Sequence, residues 1–264
     1  MSDLFTRWMR PEWPAPTHVQ AVMTDRHGGV SAAPWQSMNL GDHVGDAAAS
    51  VAANRALLAQ AVRRRPVFMQ QVHGTQVLPL DASTLDGTAA DACLTQHTDI
   101  ACTIMVADCL PVLACDAEGR TVAAAHAGWR GLAGSHGVGV LENLITALCS
   151  QLVDRSDLLV WLGPCIGPEV FEVGLEVWSA FCASDLDAAA FFVPVPDVPH
   201  KWRADLAGLA RWRLGKMGVT RIFGNTSQLD WCTVSQPSRF FSHRRDSRGV
   251  GQTGRMAACI WLER

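Results

Sequence analysis

Tyrosine is absent from this chain of 264 residues, which carries ten tryptophans instead, and no physical reason for that bias is apparent. Other absences exclude more. None of the nine cysteines forms a Cys-x-x-Cys pair, which removes zinc ribbons and thioredoxin-type redox chemistry. There is no Gly-x-Ser-x-Gly, so a serine nucleophile elbow is not expected. His-x-Glu and Pro-Cys-x-x-Cys are both missing, which excludes the usual zinc-deaminase arrangement. The first 16 residues hold three prolines and no continuous apolar stretch, so neither a signal peptide nor a membrane span fits them. Residues 1–16 are expected to be a loose N-terminal segment, followed by a single α/β domain over 17–264. A formal net charge of −3 argues against binding nucleic acid by phosphate neutralisation. Nine cysteines without a secretory signal point to a reducing cytoplasm rather than a disulfide framework.

What is present is concentrated in three short phrases: Gln70-Gln71-Val72-His73-Gly74, Ala107-Asp108-Cys109-Leu110-Pro111 and Ala125-His126-Ala127-Gly128-Trp129-Arg130-Gly131. Each sets one soft-metal ligand at the end of an apolar run, just before a residue that bends or stops a strand. Ligands at neighbouring strand ends can converge on one point even when far apart in sequence. Two imidazoles and one thiolate leave a tetrahedral ion one open position, the pattern of a catalytic rather than a structural zinc site. His73, Cys109 and His126 are therefore the candidate metal ligands and catalytic residues, with Gly128 to Gly131 expected as an exposed loop beside His126. A cysteine nucleophile with one histidine as base is the competing chemistry, and it leaves the other histidine idle.

Around these phrases the chain reads as a mixture of strands and helices. Asp46 is a plausible N-cap for a helix over 48–62, on which Val51, Arg55, Leu58 and Val62 share one face. Arg55 interrupts that apolar stripe, either as a buried ion pair or snorkelling side chain, which the spacing favours, or as an anion-binding guanidinium. Residues 112–115 and 121–125 resemble the arms of a hairpin. A helix is expected from Leu132 to near Ser150 despite Gly134, Gly137 and Gly139. Residues 158–162 and 256–262 read as strands, and 205–217 as an amphipathic helix. The Pro-rich stretch 184–202 is either mobile or the edge of a cleft. Hairpin-like connections among helices suggest mixed sheets.

Phe240-Phe241-Ser242-His243-Arg244-Arg245-Asp246 is the second unusual patch. Two arginines beside a hydroxyl and two aromatics could hold a phosphate while a ring stacks on a flat base, or they could be a loop salt-bridged through Asp246. Gly249, Gly251 and Gly254 form a Gly-x-Gly-x-x-Gly that leads into a strand, whereas a dinucleotide fingerprint opens a helix.

These phrases, in order, resemble the laccase-domain family, also called polyphenol-oxidase-like or peptidoglycan-editing-factor proteins. The likeness runs nearly end to end. It begins with Thr24-Asp25-Arg26-His27-Gly28-Gly29-Val30-Ser31 and Met38-Asn39-Leu40-Gly41, and takes in the three phrases above. Gly163-Pro164-Cys165-Ile166-Gly167, the 240–246 patch and Thr253-Gly254-Arg255-Met256-Ala257 complete it. The resemblance implies a four-layer α-β-β-α sandwich with mixed sheets in a single domain, and metal ligands at His73, Cys109 and His126. It also implies phosphorolysis of adenosine, inosine, guanosine or methylthioadenosine, and hydrolytic deamination of adenosine. Older naming in the family attaches copper-dependent phenol oxidation, and some bacterial members are credited with editing peptidoglycan precursors. Trp35, Phe171 and His243 stand where the family often has tyrosine, so no role needing a phenol is carried to them.

The leading expectation is a zinc-dependent purine nucleoside enzyme, with copper as the alternative metal. Its partners would be a nucleoside and phosphate, not nucleic acid or membrane, and a monomer is compatible with the sequence. Asn39, Arg55, Gln71 and Arg244 are the expected substrate-binding residues, Arg55 and Arg244 for phosphate. Asp108, beside Cys109, is either a group that orients the site or a turn-forming aspartate. Copper laccase chemistry is the runner-up, although none of the nine histidines stands as His-x-His, and a non-catalytic metal staple is the third reading.

Overall fold

Strand faces dictate the layers. In Ile100–Val106 every residue is buried, and the side chains alternate between two different cores. Such a strand must be covered on both sides. The computed structural model describes residues 7–151, 154–246 and 251–263. In chain order the elements are β1 (Val19–Met23), α1 (Ala48–Val62), β2 (Arg65–Phe68), β3 (Val77–Pro79), β4 (Ala92–Thr95), β5 (Ile100–Val106), β6 (Leu110–Asp116) and β7 (Val122–Ala127). Then come α2 (Trp129–Ala133), α3 (Val140–Cys149), β8 (Leu158–Leu162), β9 (Glu172–Gly174), α4 (Leu175–Cys182), β10 (Phe192–Pro194) and β11 (Lys201–Ala204). The chain closes with α5 (Leu206–Lys216), β12 (Arg221–Gly224), α6 (His243–Asp246) and β13 (Met256–Leu262).

Two mixed sheets lie face to face. One has the order β1-β13-β5-β2 and the other β12-β8-β6-β7-β4-β3; a small antiparallel sheet, β10-β11-β9, stands beside them. Between the large sheets pack Ile100, Cys102, Ile104 and Ile260 from one, and Leu113, Cys115, Ala124 and Trp161 from the other. Ala101, Met105 and Trp261 turn outward onto Leu58 and Val62 of α1. Val112, Ala114 and Ala125 turn outward onto Leu141 and Leu144 of α3 and Leu209 of α5. The result is the α-β-β-α sandwich that the resemblance implies.

Several local expectations change. Helix α1 spans 48–62, but its N-cap is Ala47 with no side-chain cap bond. The Asp46 carboxylate is turned to Ser31 and Asn39 instead. The continuous helix from Leu132 is really two, α2 and α3, split by a turn in which Ser135 and Val138 pair and Gly134 and Gly137 have φ of +63° and +77°. A side chain at Gly134 would run into the Val138 carbonyl, so the glycines break the helix rather than being tolerated in it. The 112–125 hairpin is formed by β6 and β7, with Cys115 opposite Val122. Of the expected loose N-terminal segment, Met9 exchanges backbone hydrogen bonds with Met23, and Trp8 is buried. Residues 184–202 edge a cleft through Lys201. Gly249 lies outside the described residues.

The long loop between β1 and α1 is fastened by one amide. Asn54, fully buried, accepts from Val30 N–H at 2.9 Å and donates to Ser31 Oγ, Ser37 O and Asn39 O at 2.9, 3.1 and 2.8 Å. Asn54→Ala strands these buried groups and should lower stability by about 3 kcal/mol, read as a shift in the urea midpoint at unchanged slope.

Candidate metal centre and its cleft

Cys109 lies in the connection from β5 to β6, and His126 is the penultimate residue of β7, opposite Pro111 of β6. His73 follows the turn after β2. The ligand atoms of these three residues all fall within 4.8 Å of one another, with Cys109 Sγ 3.8 Å from His73 Nε2. The two imidazoles meet edge to face at 4.7 Å. Sequence expectation and tertiary structure agree on the trio.

What holds the trio is a residue that the sequence reading missed. Asp91, at the start of β4, is fully buried and collects four donors. Its Oδ1 accepts from the His73 backbone N–H at 2.9 Å and meets His126 Nδ1 at 2.8 Å. Its Oδ2 accepts from Val72 N–H at 3.1 Å and Gly74 N–H at 2.7 Å. Burial alone would raise this carboxyl, but the His126 bond and the backbone donors overcome it and hold the pKa below the ordinary value. One carboxylate thus fixes the turn that carries His73 and leaves Nε2 of His126 to face the thiolate. The only sequence signal was an aspartate inside an otherwise apolar run, Ala89-Ala90-Asp91-Ala92-Cys93.

The backbone is strained where the ligands sit. His73 and Asp108 have φ of +59° and +90°, conformations that cost non-glycine residues on the order of 1–3 kcal/mol. Asp91 compensates at His73. At Asp108 the compensation is its own carboxylate, which accepts from Thr233 Oγ1 at 2.6 Å, Ser242 Oγ at 3.1 Å and Arg244 N–H at 2.6 Å. Asp108 therefore ties the cleft rim to the Cys109 turn; the carboxylate that orients a ligand ring belongs to Asp91.

The charge state suits a cation. Burial would raise the Cys109 thiol, but the charge of His126 and hydrogen bonds from both imidazoles bring it down to about 6. Burial would lower His126, but the Cys109 thiolate and Asp91 raise it to about 9. Thiolate and imidazolium stabilise each other, and a metal would take the place of the proton between them. A tetrahedral zinc sets sulfur and nitrogen ligands roughly 3.5 Å apart, close to the 3.8 Å between Cys109 Sγ and His73 Nε2. Gly128 leaves the needed room: a Cβ there would lie 2.8 Å from the His73 ring and 3.0 Å from Cys109 Sγ. The donor set fits a mononuclear soft-metal site. The expected exposed loop beside His126 is instead the short helix α2, with Gly128 and Gly131 buried.

The trio forms the floor of a cleft of about 760 Å³, walled by Phe171, Trp129 and Val177 and by the cations Arg130, Lys201, Arg244 and Arg255. That volume is in the range of small-molecule sites. Arg244 is in place: its Nη1 donates to Glu172 O at 3.0 Å and its guanidinium lies 5.6 Å from the Phe171 ring centre. Its neighbour Arg245 is instead paired with Asp246 at 2.7 Å, the salt-bridged loop foreseen as the alternative.

Three of the four expected substrate contacts change. Gln71 borders the cleft, but its amide exchanges two 2.7 Å hydrogen bonds with the Met105 backbone and is occupied. Asn39 is fully buried, and both ends of its amide bond to Gly41, Asp46 and Arg255. Arg55 lies outside the cleft, with Nε on Leu40 O at 3.0 Å, Nη2 3.2 Å from Asp42 Oδ2 and its guanidinium 4.0 Å from the Phe68 ring centre. Arg55 is thus in the ion pair foreseen as its alternative and does not line the cleft that holds the trio. Two of the three missing phenols fall on the site, since Phe171 and His243 line the cleft; Trp35 donates to Val44 O away from it.

Asp91→Asn keeps the shape but loses the charge that fixes both histidines. It should lower metal affinity by about 10- to 100-fold while the fold survives, measured by competition with a calibrated chelator. Unchanged affinity would mean that packing alone orients the rings.

The chain matches the family model described as multi-copper polyphenol oxidoreductase laccase over residues 20–263. It is 48% identical over 256 residues to a purine nucleoside phosphorylase of Pseudomonas aeruginosa, covering 97% of this chain and 98% of that one. To the purine nucleoside phosphorylase YfiH of Escherichia coli it is 45% identical, covering 96% and 97%. Among solved structures, the Neisseria meningitidis protein NMB0706 superposes with a TM-score of 0.88 at 44% identity, covering 97% and 99%. YlmD of Geobacillus stearothermophilus superposes with a TM-score of 0.84 at 29% identity, covering 97% and 96%. Matched along almost its whole length, the chain belongs to the multi-copper polyphenol oxidoreductase laccase family.

Proposed function

We propose that this protein is a zinc-dependent purine nucleoside phosphorylase, acting on adenosine, inosine, guanosine or methylthioadenosine, that also deaminates adenosine. The observation that carries the reading is the convergence of His73, Cys109 and His126 on the floor of a cation-walled cleft. It occurs in a chain matched end to end with relatives named purine nucleoside phosphorylase. Among the described residues this is the one group of three or more His, Cys, Asp or Glu that could hold a metal, which favours a mononuclear site over the several copper centres of a laccase. All nine cysteines are free and seven of them are buried, which supports action in a reducing cytoplasm. No helix among the described residues is long and apolar enough to cross a membrane.

In phosphorolysis a phosphate oxygen forms a bond to C1′ as the C1′–N9 bond breaks, and the electron pair leaves with the purine, which takes up a proton. Bound at the trio, zinc supplies a Lewis-acid charge at the cleft floor. The chain's own groups do the rest. Phe171, Trp129 and Val177 offer apolar surface to a flat base, while the cationic wall offers the anion a binding edge. Asp91 keeps the His126 imidazole from turning, and the His73 backbone in place, as the cleft fills.

A second reading has an observation of its own. A thiolate beside an imidazolium is also how a cysteine nucleophile is prepared, and Cys109 and His126 form such a pair.

Two measurements decide between these. Metal-loaded protein incubated with each nucleoside should give base and ribose 1-phosphate only when phosphate is present, and inosine and ammonia from adenosine without it, identified by product mass; no product in either arm overturns the proposal. Cys109 should alkylate slowly with iodoacetamide in loaded protein and rapidly after chelation, with turnover lost and then restored by zinc. Rapid alkylation of fully loaded protein, or undiminished turnover after verified metal removal, would favour the nucleophile.

A further inference from the structure

Four cationic side chains of the cleft differ in what already neutralises them. Lys201 lies 3.7 Å from the Glu172 carboxylate. Arg130 is exposed and lies over the Trp129 ring at 4.3 Å. Arg244 is half-buried and spends Nη1 on the Glu172 carbonyl. Arg255, also half-buried, has no carboxylate within ion-pair distance among the described residues; its Nη1 donates to Thr253 O at 3.1 Å and Gly254 O at 3.3 Å. Its Nε and Nη2 have no partner among the described residues. The nearby Asp108 carboxylate is already occupied by Thr233, Ser242 and Arg244. A partly desolvated guanidinium with its edge free, facing a cleft beside a metal site, calls for an anion.

The fold invests in holding this side chain. Because β13 runs antiparallel to β5 with Met256 opposite Val106, Arg255 emerges beside the turn that carries Cys109. Its N–H donates to Asn39 Oδ1 at 2.9 Å. Its stem crosses Gly41 so closely that a Cβ there would lie 2.7 Å from Arg255 Cγ. Arg55 in turn braces that turn through Leu40 O and Asp42. Two of the residues that the sequence placed on substrate thus act on Arg255 from behind: Asn39 accepts its N–H, and Arg55 holds Leu40, whose N–H donates to Arg255 O.

We propose that Arg255 is the anion subsite of the cleft, that its free Nε–Nη2 edge takes inorganic phosphate, and that Asn39, Gly41 and Arg55 are the residues that position it. The identity of the anion rests on the phosphorylase reading; the existence of the subsite does not.

The test uses the metal-loaded full chain and inorganic phosphate as the probe, with binding followed by titration calorimetry. Arg255→Met should weaken phosphate binding at least ~10-fold, Arg255→Lys should restore part of it, and Gly41→Ala, which leaves every charge in place, should weaken it several-fold by displacing the stem. Metal content and melting temperature report that each variant is folded, and Gly41→Ala carries the test if Arg255→Met is not. In turnover, KM for phosphate should rise in these variants while KM for nucleoside stays within about twofold. Wild-type phosphate affinity in Arg255→Met would overturn the proposal, as would a subsite that binds adenosine 5′-monophosphate but not free phosphate. Arg255-dependent phosphate binding without nucleoside turnover by the wild type would sink the phosphorylase reading and leave the subsite standing.

Discussion

The buried carboxylate of Asp91 is the constraint on which the site depends. A fully buried charge is costly unless it is surrounded by donors, and here three backbone N–H groups and one imidazole provide them. The same bonds that satisfy Asp91 define the site: they hold His73 in a left-handed conformation and fix the ring of His126. The His126 ring could not swing away, nor the backbone at His73 shift, without leaving the buried carboxylate short of a donor. The candidate site sits at the edge of the sandwich, with His126 buried on a strand and His73 and Cys109 on the connections beside it.

A second aspartate does the corresponding work on the rim. Asp108 gathers Thr233, Ser242 and the Arg244 N–H, and so joins the β5–β6 turn to two stretches more than a hundred residues further along. Its neighbour in sequence, Cys109, is placed by the same turn. Two carboxylates therefore divide the task, one beneath the ligands and one beside them. The cleft is lined by both large sheets, through Met105 and His126, and by the small β10-β11-β9 sheet, which supplies Glu172 and Lys201. Phe171 and His243 face the same space, so the cleft offers no phenol hydroxyl at those two places.

Periodicity made much of the fold legible. Helix 48–62 and strands 100–106, 158–162 and 256–262 lie where the apolar spacing puts them, because burial on one stripe or on both faces leaves a pattern in the side chains themselves. The split between α2 and α3 was not legible in the same way. Glycine is neutral in the pattern, and only the backbone angles of Gly134 and Gly137 turn it from a tolerated residue into a break. The candidate metal ligands were legible for a chemical reason: few side chains bind soft metals, and three of them stood at the ends of apolar runs.

By itself, then, the sequence marked the long periodic elements and three side chains whose chemistry suits a soft metal, since both follow from residue type and local spacing. Only tertiary structure decided which polar side chains are spent internally and which remain free. Arg55 and Arg255 are the same residue chemically. Arg55 lies against Asp42 and Phe68, whereas strand register delivers Arg255 to the cleft with an edge unpaired. Asn39, Gln71 and Asp91 separate in the same way, because hydrogen-bond capacity is used up by whichever partner the fold brings near, and such partners lie 34 residues away for Gln71, 17 to 35 for Asp91 and 216 in the Asn39–Arg255 bond. No local pattern encodes that distance.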